Sequence, residues 1–178
     1  PARGDYIGID SPAGFIKAYV DSTNNQLSVS FENVPAFVEA LDQQVAVEGL
    51  GTIKYDIAFG GAYYAFVNAD DLGLSCETDN SQNLINAGRA IKQAVISQYE
   101  INHPSEADLS FLYGTIFYSQ KTARVPSHSR HVCIFAEGEL DRSPTGTGVS
   151  ARAAILAIKE NLHIGEQVII ESITGGEM

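Results

Sequence analysis

At 178 residues the chain is long enough for one sizeable domain or two small ones, and an apolar share of 44% supports a real core. A formal net charge of −11 excludes the basic footprint that nucleic acid or an anionic membrane surface requires. Only 19% of the residues are charged, with no long like-charge run, so the chain reads as folded rather than disordered.

Residues 14–20 and 26–33 predict two strands joined by the turn-rich "DSTNNQ". Leu27, Val29 and Phe31 alternate with polar neighbours, which suits a half-buried strand. Val45 and Val47 lead into "EGLG", after which Ile53, Tyr55, Ile57 and Phe59 alternate again. This predicts a hairpin with Gly49 and Gly51 at the turn. "GGAYYAFVNA" is a third β run. The period then changes. Leu84, Ala87, Ile91, Ala94 and Val95 share one helical face, with Asp79 or Ser81 placed to cap the start and "NHP" at 102–104 to end the helix. Residues 109–118 and "HVCIFAE" return to β. A second helix runs through "GVSARAAILAIKENL", with Val149, Ala153, Ile155 and Leu156 inward. Apolar residues nearly encircle it between 153 and 158, so it is expected to be buried on most sides. "GEQVIIESI" closes with a strand. The order predicts an α+β fold, a mainly antiparallel sheet wrapped against a buried helix.

Cys76 and Cys133 are far apart and match no metal spacing. Two lone thiols suit a reducing, cytoplasmic compartment better than a disulfide scaffold. Cys133 reads as strand core and Cys76 as loop. No stretch approaches the roughly 20 apolar residues of a membrane span, and "PARGDYIGID" lacks an apolar leader region. With no initiator Met and an abrupt end at "ITGGEM", the sequence is expected to be a fragment. The four histidines, His103, His128, His131 and His163, read as structural or surface residues.

The segment "DRSPTGTGVSARAA", residues 141–154, concentrates the chemistry. Gly146 and Gly148 open a helix whose first N–H groups have no helical partner, and the helix dipole adds partial positive charge there. Such a tip holds a carboxylate or phosphate. Thr147 and Ser150 add hydroxyls, and Asp141 is placed to accept a hydrogen bond from an amine. The predicted ligand is therefore a zwitterion. The plain alternative is a capped helix with Thr145 or Thr147 as N-cap. A dinucleotide site is a further alternative, because "GTGVSA" fits G-x-G-x-x-A and Glu171 ends a later strand. Against it, nine residues, Glu137 to Thr145, separate the strand from the first glycine, and no alternating βαβ pattern is apparent. No G-K-[ST] occurs, which excludes a P-loop.

This segment resembles the second active-site motif of the proline racemase family, D-R-S-P-C-G-T-G. "SPAGFIKA", "FENVPAFV", "DIAFGGAYYAFV", "INAGRAIKQAV" and "GEQVIIESITGG" resemble family segments in the same order. The resemblance implies a diaminopimelate-epimerase-like fold of two α+β halves, each with a central helix pointing its N-terminus at the substrate. Residues 1–178 would then be the middle and second-half portion of a two-domain protein, mostly one domain. It also implies two cysteines flanking the substrate's α-carbon, no cofactor, no metal, a small imino acid substrate, no nucleic acid or membrane partner, and a homodimer.

Carried over by position, Asp141 binds the ring nitrogen, Gly146 and Thr147 supply backbone donors to the carboxylate, and Phe135 lines the ring pocket. Phe135 as ordinary strand core and Asp141 as a turn-forming loop acid are the plain alternatives. The chain departs from the family twice. The first cysteine's M-C-G-H motif is absent, and Thr145 stands where the second cysteine is expected. A thiol can be tuned into a base, whereas an alcohol is too weak an acid to shuttle a proton at neutral pH. Two-base racemisation is therefore expected to fail, while one-sided deprotonation with loss of a β-hydroxyl remains open. In the family, threonine here accompanies trans-3-hydroxy-L-proline dehydratases. The expected activity is dehydration of that imino acid to pyrroline-2-carboxylate. Proline or 4-hydroxyproline racemisation, or carboxylate binding without turnover, are the alternatives. Thr145 would either hydrogen-bond the departing hydroxyl or shape the pocket.

Overall fold

The computed structural model describes residues 5–23, 26–124 and 127–178. Strands β1 (Ile7–Ser11), β2 (Gly14–Thr23) and β3 (Gln26–Glu32) form a small antiparallel sheet. Strand β1 was not anticipated from the sequence. The tip of the turn expected between β2 and β3, residues 24 and 25, lies outside the described residues. Cross-strand register puts Ile7 opposite Ala18 and Ala18 opposite Phe31, with Ile9 opposite Ile16 and Val20 opposite Val29. These residues share one apolar face, because side chains alternate along each strand.

The larger sheet holds β4 (Phe37–Val47), β5 (Gly51–Phe59), β6 (Tyr63–Asn68), β7 (Leu112–Ser119), β8 (Ser129–Phe135), β9 (Glu139–Leu140) and β10 (Ile170–Ser172). Its spatial order is β10-β8-β7-β6-β5-β4, with β9 paired to β8. The predicted β4–β5 hairpin is present, and Gly49 (φ 78°) and Gly51 (φ 81°) take the left-handed conformation its turn requires. Strand β4 starts earlier than its alternation suggests. Two register shifts and Asp42 at φ 55° break the period there.

Most pairings are antiparallel, as expected, but β6–β7 and β8–β10 are parallel. Helix α1 (Ser81–Gln98) lies in the first connection and helix α2 (Gly146–Lys159) in the second. Two βαβ units therefore exist where the sequence pattern showed none. β6 and β8 run in opposite directions, so right-handed crossovers place the two helices on opposite faces of the sheet. The packing agrees. Tyr63, Ala65 and Val67 join Leu84, Ala87, Ile91 and Val95 of α1 in one core, while Tyr64, Phe66 and Cys133 meet Ala151 and Ile155 of α2 in another.

Both helices differ in detail from their predicted form. Neither Asp79 nor Ser81 caps α1; Asn80 is its N-cap, at the end of a 3₁₀ turn, with no side-chain cap bond. The helix ends at Gln98, ahead of the expected stop at 102–104, because Tyr99 is already extended. Ala94 is only half-buried. In α2 the buried face is Gly148, Ala151, Arg152, Ile155 and Leu156, with Val149 and Ala153 half-buried. Ile158 is 59% exposed. The last turn of α2 runs free of cover, held by Lys159 Nζ at 2.8 Å from Asp42 and 2.7 Å from Asp56. The closing strand is shorter than predicted, since residues 164 and 165 form an exposed turn with Gly165 at φ 91°.

Glycines let α2 dock. A Cβ at Gly60 would overlap the Thr147 carbonyl oxygen and the Ala151 backbone nitrogen, and one at Gly61 would lie 2.9 Å from Thr147 Cγ2. A Cβ at Gly148 would strike Ile116 of β7. The pair in "FGGAYY" thus brings the β5–β6 turn against the first turn of α2.

Behind the sheet, Arg130 is buried against Glu171 at 2.9 Å and also pairs with Glu77. Burial alone would raise the Glu171 carboxyl. The Ala123 and Arg124 amides and Arg130 outweigh that and hold it down at about 2. His131, fully buried, is pushed down to about 3 by burial first, then by Arg152 and His128. It stays neutral in the fold, yet protonates near 6.5 when unfolded. Its stabilising contribution is therefore complete above pH 6.5 and is lost as pH falls toward 3; that of Glu171 is complete above 4.5 and is lost toward 2. Thermal unfolding followed between pH 7 and 4.5 is expected to show stability falling by up to about 1.4 kcal/mol per pH unit. The H131Q variant should flatten that slope, and an unchanged slope would contradict the assignment.

Candidate active site

Strand β8 ends at Phe135 and turns back through Ala136 (φ 45°) and Gly138 (φ 129°) into β9. This hairpin accounts for the nine residues before the first glycine. It returns the chain beside β8, where the Asp141 amide donates to the Cys133 carbonyl at 3.0 Å. From Asp141 the chain passes through Ser143 to Thr145, the N-cap position of α2.

Thr145 occupies that position without capping the helix. Its φ of 65° and ψ of 94° are unusual for a β-branched residue. The hydroxyl turns back to donate to Asp141 Oδ2 at 2.8 Å. The first helical bond is Val149 N–H to the Thr145 carbonyl, at 2.8 Å. Gly146, Thr147 and Gly148 precede it, and no side chain caps them. The plain reading of a side-chain-capped helix is therefore set aside. Gly146 and Thr147 line a cavity of about 600 Å³ together with Asp141, Thr145 and Phe135. All five residues singled out in the sequence thus line one cavity.

Its walls are otherwise apolar. Ile9, Ile16, Ala18, Val29 and Phe31 of the small sheet face the helix tip across it. Phe135 is half-buried and lines the cavity instead of joining the strand core alone; its ring stacks on Tyr113 with centroids 5.5 Å apart and planes 8° apart. Tyr64 meets Tyr113 edge-on at 5.7 Å, and its hydroxyl lies 2.7 Å from Thr147 Oγ1. Burial raises the Tyr64 phenol far above its usual range, with the Thr147 bond opposing, so it is a neutral hydrogen-bonding group. Tyr64 and Tyr113 escaped sequence reasoning. The signal for Tyr64 was the alternation in "GGAYYAFV", which sends adjacent tyrosines to opposite faces.

Cys133 is strand core, as read, but it also lines the cavity. Burial pushes its thiol up to about 12, with the neighbouring Thr145 opposing. Cys76 is a buried loop residue far from the cavity, its thiol pushed up to about 12 by burial and Asp70. None of the four histidines lines the cavity. His128 and His131 do converge on one hydroxyl, Ser129 Oγ, each at 3.2 Å. His103 sits in a box of Phe37, Phe59 and Tyr63. Glu171, the acid of the dinucleotide alternative, is engaged by Arg130 and two backbone amides. It lies outside the cavity, which removes that alternative.

Comparison with known proteins gives the family and the fold. The model of the family described as proline racemase matches residues 2–178, and the chain belongs to that family. A trans-3-hydroxy-L-proline dehydratase of Colwellia psychrerythraea is 54% identical over 166 residues, covering 93% of this chain and 46% of the relative. The human trans-3-hydroxy-L-proline dehydratase is 40% identical over 174 residues, covering 97% of this chain and 49% of the relative. The chain spans about half the length of the curated relatives it matches. A crystal structure of a hydroxyproline epimerase from Agrobacterium vitis, with bound trans-4-hydroxy-L-proline, superposes with a TM-score of 0.89 at 30% identity. The match covers 99% of this chain and 51% of that one. The diaminopimelate-epimerase-like α+β expectation stands on this likeness. Among the described residues, no helix is long and apolar enough to cross a membrane.

Thr145 carries a measurable backbone cost. A non-glycine residue held in this region stores on the order of 1–3 kcal/mol, which glycine does not pay. T145G and T145A both remove the hydroxyl, so comparing them sets the relief of backbone strain against glycine's larger entropy loss on folding. T145G is expected to be the more stable by about 1 kcal/mol in denaturant titrations. Equal stabilities would contradict any strain beyond the roughly 0.5–1 kcal/mol that glycine's entropy loss costs.

Proposed function

We propose that this chain is the carboxylate- and amine-binding half of a trans-3-hydroxy-L-proline dehydratase, which removes the α-proton and expels the 3-hydroxyl to give pyrroline-2-carboxylate. The observation that carries this reading is the identity of Thr145 at an open helix tip. The Gly146 and Thr147 amides hold the substrate carboxylate, where the helix dipole favours the negative charge that builds as the α-proton leaves. Asp141 takes the ring nitrogen. Phe135 and Tyr113, stacked on each other, form one aromatic wall for the ring, and the apolar wall of the small sheet keeps water from the carbanion. The electron pair released at the α-carbon forms the new double bond as hydroxide leaves from the adjacent carbon. The double bond then moves to nitrogen, giving the imine.

The cavity-lining residues that titrate are Tyr64, Tyr113, Cys133 and Asp141. The Cys133 thiol, held near 12, cannot take the α-proton at neutral pH. Asp141 is committed to the ring nitrogen. The base therefore comes from outside this chain, as the family resemblance implies with its first cysteine, and the chain alone binds without turnover. The exposed apolar face of the small sheet, with Val29 60% exposed, suits a second half closing over the cavity. We place the assembled protein in the cytoplasm as a homodimer, two buried free thiols favouring a reducing compartment.

The bound ligand of the Agrobacterium vitis structure keeps epimerisation as the second reading. The two separate in one assay. Full-length protein incubated with trans-3-hydroxy-L-proline is expected to form a trappable imine and to leave L-proline unracemised. Racemisation of proline or epimerisation of 4-hydroxyproline without imine would overturn the dehydratase reading.

A further inference from the structure

We infer that Thr145 is a positioning residue that acts through Asp141 and makes no contact with the departing hydroxyl. The inference rests on the imino-acid reading above and assigns Thr145 its part in it. A threonine hydroxyl has one proton to give. Here it goes to Asp141 Oδ2, 2.8 Å away, and an ionised carboxylate accepts only. The other carboxylate oxygen, Oδ1, accepts the Ser143 amide at 2.8 Å. Ser143 Oγ in turn accepts the Thr145 amide at 3.1 Å. These three bonds close a ring through Asp141, Ser143 and Thr145.

The ring fixes the carboxylate in both rotation and tilt. Rotating Asp141 breaks one bond at each oxygen. Thr145 makes both bonds, through its amide and its side chain, at a positive φ of 65°. Each oxygen keeps a second lone-pair direction, and Asp141 lines the cavity, so a ring ammonium meets a pre-aimed acceptor. A hydroxyl whose proton is committed to Asp141 is not positioned to deliver that proton to a leaving group.

Valine at this position keeps the branched shape and deletes the proton, and serine keeps the proton. Binding to wild type, T145V and T145S is measured by NMR titration with three probes: L-proline, trans-3-hydroxy-L-proline and cyclopentanecarboxylate, which lacks the amine. T145V is expected to weaken L-proline and trans-3-hydroxy-L-proline equally, by about tenfold, the worth of one hydrogen bond to a charged group. Cyclopentanecarboxylate binding should be unchanged, and T145S should recover most of the loss. A larger loss for the hydroxylated substrate than for L-proline would overturn the inference by placing Thr145 on the ring hydroxyl. An equal loss for all three probes would overturn it by reducing Thr145 to pocket shape. If wild type binds none of the probes, the imino-acid reading itself falls, and this inference with it.

Discussion

The structure depends on a helix end left without its usual cap. Most helices satisfy their first amides with a serine, threonine or aspartate side chain at the N-cap. Thr145 has the right chemistry and the right position, yet it turns away. Gly146 and Thr147 consequently line a cavity with no side chain capping the first turn of the helix. Unpaired backbone donors out of water are costly. Under the proposed function these amides receive the substrate carboxylate.

The remaining fold can be understood as support for that tip. The glycine pair at 60–61 brings the β5–β6 turn against the first turn of α2, and Gly148 brings that turn down onto Ile116. Tyr64 reaches up from β6 to fix the Thr147 side chain. Lys159, held by Asp42 and Asp56, secures the opposite end of the helix. Asn33 Nδ2 donates to the Gly60 carbonyl at 2.7 Å, linking the glycine turn to the segment that enters β4. The tip itself meets the β5–β6 turn, Tyr64 of β6 and Ile116 of β7, so it is held by the sheet and not by its own loop alone. That suits a site whose task is to aim an amino acid's charged groups.

Much of this was legible in the residues. The 141–154 motif pointed to the segment that lines the cavity, because glycines at a helix start leave its first amides without side-chain cover; the capped-helix alternative could be set aside only from the coordinates. The Gly49–Gly51 turn followed from positive-φ chemistry alone. Other features depended on tertiary pairing. Tyr64 and Tyr113 lie far apart in sequence and meet only because β6 and β7 pair in parallel. The two parallel joints were hidden because their crossovers carry short strands and irregular segments among antiparallel neighbours. The open cap could not be read from composition, since it turns on one φ angle. The exposure of Ile158 also escaped, because hydrophobic encirclement says nothing about where the covering strands stop.

The central claim, that the amides opening α2 grip a carboxylate beside Asp141, is tested most directly by amide NMR of this chain with pyrrole-2-carboxylate as titrant. Saturable shifts concentrated at Gly146, Thr147 and Gly148, attenuated in D141A and absent with NAD, are the predicted result. Shifts that bypass those three amides, or that persist at full strength without Asp141, would contradict it.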